Sequence, residues 1–126
     1  MQAHTPPARE PFTVLDWVGT VAAGFSFVSL LTFPIAGRAF ASMFESVGTP
    51  ASMPLLTQLA TSIWFPLLLA LPVGACLGLG LRLHRPLPTR RALVVSAFVL
   101  GCLFFGLCLI GTYLPIFAIA SAVKAE

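Results

Sequence analysis

Residues 82–123 read RLHRPLPTRRALVVSAFVLGCLFFGLCLIGTYLPIFAIASAV. Four arginines, Arg82, Arg85, Arg90 and Arg91, fall in the first ten positions, and no charged residue occurs from Ala92 to Val123. The apolar run is continuous rather than alternating. It therefore reads as a helix that satisfies its own backbone in hydrocarbon, not as strands of a barrel. A straight helix over 92–123 would be about 48 Å long at ~1.5 Å per residue. The hydrocarbon core is only ~30 Å thick, so the run must overshoot it or bend, and Pro115 is the expected place.

Working outward, two further charge-free gaps appear, from Trp17 to Gly37 and from Ser46 to Leu81. Each contains an apolar stretch near the ~20 residues needed to cross a bilayer. The sequence thus predicts an all-α integral membrane three-helix bundle with spans at about 15–36, 63–81 and 92–117. A tail over 1–12, an outer-face loop over 37–62 and a basic loop over 82–91 complete one membrane domain, 13–126. Composition agrees. The chain has 126 residues, 58% hydrophobic and 9% charged, with a mean hydropathy of +0.98. Ordinary soluble domains carry roughly 25% charge, which excludes a soluble enzyme or a free nucleic-acid-binding domain.

The arginine-rich loop is cytoplasmic by the positive-inside rule. That places the N-terminus, with Arg9, inside, and the Arg38 loop and the C-terminus, with Lys124, outside. The first apolar run precedes Ala39-Phe40-Ala41, which has the small-x-small form of a signal-peptidase site. The run is longer than the 7–15 residues of a signal h-region, so an uncleaved signal anchor is expected.

Residues 1–11 are polar and proline-rich. Thr13-Val-Leu-Asp16 has the spacing of a helix N-terminal cap, and Trp17 suits the headgroup level. Asp16 also has an alternative reading as a proton or ion ligand. Past Pro34 the helix is expected to continue. Phe40, Met43, Phe44 and Val47 recur at i, i+3, i+4 and i+7, giving Arg38 to Ser46 an amphipathic face. Those four residues are the candidate partner contact. They could equally lie in the headgroups or fold back near Leu55 and Leu59. Gly48 to Pro54 forms a bend, after which a helix starting near Ser52 runs into the second span at Trp64.

Ala70, Gly74 and Gly78 are spaced by four along that span. They form a candidate packing face, either for the chain's own third helix or for a dimer seam. Arg82, Arg85, Arg90 and Arg91 are candidate contacts for anionic headgroups as well as topology determinants. Cys76, Cys102 and Cys108 lie within spans, and three is an odd number with no CxxC, so packing is their expected role. His4 and His84 have no metal ligand at suitable spacing. Catalytic signatures and nucleotide-binding loops are missing, and the spans carry no charge at mid-membrane. No catalytic residues, cofactor or metal are expected, and nucleic acid is not an expected partner, because the basic loop has no aromatic residues for stacking.

The stretch SLLTFPIAGRAFASMFESVG from Ser29, followed by Pro54-Leu55-Leu56-Thr57, resembles the first span and outer-face turn of the type II secretion F family. These are the inner-membrane assembly-platform proteins of type II secretion systems and type IV pili. Phe40, Met43, Phe44, Gly48, Pro54 and Thr57 fill the family's pattern, with Met53 in place of its usual leucine. Tyr113-Leu114-Pro115-Ile116-Phe117 and the following AIASAV look like the family's last residues. The resemblance covers about two thirds of the chain and implies a shared membrane core, with the N-terminus inside, in a bacterial inner membrane. It departs from the family where members carry two cytoplasmic helical domains that engage the assembly ATPase and neighbouring platform parts: here a tail of about a dozen residues and the ten-residue basic loop stand in those places. Two functional expectations follow. One is a non-catalytic accessory subunit packing against a larger membrane complex, with lipids and other integral membrane subunits as partners. The other is a minimal secretion or pilus platform protein. A pore-forming or holin-like peptide fits less well, because the helices lack a polar stripe.

Overall fold

The computed structural model describes residues 10–46, 54–82 and 85–124. The tail over 1–9, the expected bend with Val47, and His84 lie outside them. Four helices follow one another: α1, Val14–Ser46; α2, Leu55–Thr61; α3, Trp64–Leu81; and α4, Leu87–Lys124. The described residues are all helix and connection. Three of the helices, α1, α3 and α4, are long and apolar enough to cross a membrane.

The first helix starts where the cap is expected. The Thr13 amide donates to Asp16 Oδ2 at 2.9 Å and the Thr13 hydroxyl donates to the same oxygen at 2.8 Å. The acid at the third helical position thus satisfies the N-cap backbone, as in one half of a capping box. From there α1 runs unbroken through a buried Pro34, roughly 50 Å at ~1.5 Å per residue. Its hydroxyls are folded onto its own carbonyls: Ser26 donates to Ala22, Ser29 to Phe25 and Thr32 to Val28. This back-bonding removes their polarity from an otherwise apolar surface.

Helix α2 does not run straight into the second span. It ends at Thr61, and Ser62 is extended, at φ −70° and ψ 153°. Pro66 explains the break. In a continuous helix its ring would clash with the carbonyl of Ser62, four residues earlier, and it has no amide to offer that carbonyl. Ser62 staples the joint instead: its hydroxyl donates to Leu59 O at 2.7 Å and accepts from the Phe65 amide at 3.3 Å.

The basic segment is also shorter as a loop than the sequence predicts. Helix α4 begins at Leu87, with Pro88 in its first turn, where a missing amide costs nothing. Arg90 and Arg91 therefore project from a helix. Pro115 lies inside α4, which continues to Lys124.

Helices α1, α3 and α4 pack pairwise, and α2 lies mainly on α4. Ala23, Leu30 and Phe33 of α1 meet Ala70 and Val73 of α3 and Ala97 and Cys108 of α4 in the centre. Small residues set the spacing. A Cβ on Gly101 would come 2.7 Å from Ser26 Cβ, and one on Gly111 would come 2.8 Å from Ala60 Cβ. At these two crossings there is no room for a side chain on α4 against α1 and α2, and such close approach is how helices gain packing contact where lipid offers no hydrophobic driving force.

Candidate functional site

The amphipathic face at the end of α1 is divided by the fold. Phe44 is buried, and the Phe40 ring lies 6.4 Å from that of Tyr113 on α4. Met43, 62% exposed, is the residue of this group left on the surface, and Val47 lies outside the described residues. The two phenylalanines hold the far end of α1 to the bundle.

The small-residue row is divided too. Ala70 is in the core. A Cβ on Gly74 would press on the Phe27 ring at 2.8 Å, so this glycine receives α1. Gly78 has open space around it. The outward side of α3 is formed by Trp64, Leu68, Leu71, Ala75 and Gly78, all exposed and spaced by four and three, so that they share one helix face.

The arginines have different tasks. Arg82 and Arg85 are exposed. Arg90 is 7% exposed; its Nε donates to Gly80 O at 3.2 Å and its guanidinium carbon lies 3.9 Å from the centre of the Phe12 ring. Gly80 is in the last turn of α3, where carbonyls have no helical amide to accept from, so Arg90 closes that helix end and gains a cation–π contact. Phe12 is held in turn edge-on against Trp17 at 5.9 Å. Sequence reading places Arg90 with the headgroup contacts; its inward turn comes from a carbonyl that only the fold supplies.

Arg91 makes a fork-to-fork pair with Asp16. Its Nε donates to Oδ1 at 2.8 Å and its Nη2 to Oδ2 at 3.0 Å. Both carboxylate oxygens of Asp16 are thereby engaged, one of them also by Thr13. The aspartate works as a cap and as a clamp between the starts of α1 and α4, an arrangement specific to the planar guanidinium.

Of the other buried hydroxyls, Thr57 joins two helices and Thr112 bonds back onto its own. The Thr57 hydroxyl donates to Gly111 O at 2.7 Å, and Thr112 donates to Cys108 O at 2.9 Å. No buried side-chain nitrogen or oxygen among the described residues is without a partner. Cys76 is half-buried, Cys102 exposed and Cys108 buried, all as free thiols. Among the described residues no three His, Cys, Asp or Glu side chains converge. The Thr57 contact has a signal in the sequence that composition and spacing do not raise: Gly111 is four residues before Pro115, so its carbonyl needs a donor from elsewhere.

Compared with known proteins, the chain matches no family model, no curated protein and no solved structure.

Proposed function

We propose that the chain is a small non-catalytic integral membrane protein of the bacterial inner membrane. It has its N-terminus and basic turn on the cytoplasmic side, and it packs as an accessory subunit against a larger membrane complex. The observation that carries this reading is the disposition of the polar groups. Ser26 and Thr112 donate to carbonyls of their own helices, Thr57 of α2 donates to α4, and Arg90 of α4 closes the end of α3. Polar chemistry inside the bundle is thus committed to helix carbonyls, within helices and at two joints between them, which suits a scaffold and gives no support to a proton or ion path. One surface open to a partner is the exposed side of α3 with Met43. Purification in mild detergent followed by mass spectrometry of co-purifying chains tests the proposal. A stoichiometric integral membrane partner is the expected result, and a solitary chain under every mild condition would overturn it.

A second reading, a minimal platform-like protein of the type II secretion F kind, is favoured by one specific contact. The Pro54-Leu55-Leu56-Thr57 stretch and the segment leading into Tyr113-Leu114-Pro115 are far apart in sequence, yet they meet through Thr57 and Gly111. Co-purification with a secretion ATPase or a pilin-type protein would select this reading over the first.

A further inference from the structure

A groove of about 720 Å³ opens between α1 and α4. Small side chains, Ala22, Ser26, Ser29 and Cys102, leave a gap flanked by the rings of Phe25 and Phe98. The hydroxyls of Ser26 and Ser29 donate to carbonyls of their own helix. The groove therefore offers a hydrocarbon surface and little that a polar ligand would recognise.

Its extent identifies the occupant. On α1 the lining runs from Val14 to Ser29, roughly 22 Å at ~1.5 Å per residue. That matches one leaflet with its headgroup zone, half of the ~40–45 Å total. Beyond it the seam is shut: Phe33 meets Phe105 edge-on at 5.9 Å, and Phe40 meets Tyr113 further along. A transmembrane helix, from a second copy or another chain, would need a seam through both leaflets. An acyl chain needs one.

The open end carries the matching charge. Arg91, Val95, Phe98, Cys102 and Phe105 are spaced by four and three on α4, so they share one face. A second cavity of about 410 Å³, lined by Phe12, Asp16, Arg91 and Val95, lies at the Arg91 end of the same two helices. Arg91 uses two of its N–H donors on Asp16 and its side chain is 44% exposed, leaving donors of the guanidinium for another acceptor. Arg82 and Arg85 add exposed positive charge in the turn just before α4.

We propose that this groove is a binding site for an anionic phospholipid of the leaflet adjoining the basic turn. One acyl chain lies between α1 and α4, and the phosphate sits against Arg91. The site goes beyond the accessory-subunit reading and is independent of any protein partner.

The chain has two tryptophans, and Trp17 lines the groove, whereas Trp64 is exposed on α3. A Trp64→Phe variant of the full chain therefore makes Trp17 the single reporter. It is reconstituted in phosphatidylcholine vesicles containing a minor fraction of phosphatidylglycerol, with bromine on the acyl chains of one lipid or the other. The expected result is quenching of Trp17 by brominated phosphatidylglycerol equivalent to a local enrichment of about fivefold over its bulk fraction, the scale of one basic contact at a membrane surface. Unbrominated phosphatidylglycerol added in excess should reverse it. Ala22→Phe with Cys102→Phe, which fills the groove, should reduce quenching to the bulk value, and Arg91→Gln should remove the anionic preference. Equal quenching by the two lipids at equal fraction in the unfilled protein would overturn the proposal, whether or not the filled variant folds. So would shielding of Trp17 from both lipids together with disulfide cross-linking of Cys102 between copies, which would give the groove to a second copy.

Discussion

The Thr57 hydroxyl takes the place of the amide that Pro115 lacks. In an uninterrupted helix the residue at position 115 would donate to the carbonyl of Gly111; here that carbonyl accepts from Thr57 of α2 at 2.7 Å, in a fully buried position. A proline that would ordinarily break a helix is tolerated because a neighbouring element satisfies the freed carbonyl. The same bond fastens α2 to α4. Thr57→Val keeps the shape and removes the donor, so it should destabilise the fold by about 1–2 kcal/mol, whereas Thr57→Ser should retain most of the stability. In a Pro115→Ala background, which restores the amide, the cost of Thr57→Val should shrink, and reversible unfolding in a denaturing-detergent titration measures this coupling. Equal costs in the two backgrounds would refute the substitution of one donor for the other.

The glycines predict a contrast. Gly101→Val should cost about 1–3 kcal/mol through overpacking, because its Cβ would lie 2.7 Å from Ser26 Cβ, on the α1 side of the crossing. Gly78→Val meets open space and should leave the same detergent titration unchanged. If Gly78→Val nevertheless released a co-purifying subunit, the exposed side of α3 would be the interface.

At the start of the bundle, Asp16 receives a two-pronged contact from Arg91. Asp16→Asn should raise amide hydrogen exchange in the first turn of α1, since both the Thr13 cap and the clamp depend on the carboxylate. Arg91→Lys should raise it less but measurably, because a single ammonium cannot reproduce the fork. Glu45→Gln, at the other end of α1, is the control and should change nothing in that turn.

At the far end of α1 the aromatic residues and the methionine should separate. Phe44→Ala, at a buried site, should lower the accumulation of folded protein, and the Phe40→Ala, Phe44→Ala double variant should lower it further. Met43→Ala should leave accumulation intact and weaken only partner retention in pull-down. Loss of the partner from Phe40→Ala alone, in a protein of unchanged stability, would return the contact to the aromatic face.

Topology is testable with single cysteines in a variant freed of Cys76, Cys102 and Cys108. A cysteine at Pro88 should react with an impermeant reagent only from the cytoplasmic side, and one at Thr49 only from the outside. The reverse pattern at both sites would invert the orientation.

Much of the architecture is local information. Charge-free runs of membrane-spanning length mark α1, α3 and α4, because charge in hydrocarbon is costly wherever the rest of the chain lies. The Thr13-to-Asp16 spacing marks where α1 begins, since a cap is a contact between residues three apart. Even the break at Ser62 is legible once Pro66 is counted back four residues, although the apolar pattern across it suggests one continuous helix.

What the tertiary structure alone decided are the partners of side chains whose local reading is incomplete. Arg90 and Arg91 are adjacent and chemically identical, yet helix geometry sends one to the open end of α3 and the other to Asp16. Gly74 and Gly78 share one helix row, yet only Gly74 meets a ring of α1. Phe40 and Phe44 look like an unpartnered amphipathic face until Tyr113 and the bundle arrive beside them. Hydropathy depends on what each residue is, and so the sequence determined that the helices suit a membrane. Which faces are covered depends on helix crossings between residues tens of positions apart, and only the packed molecule places those residues together.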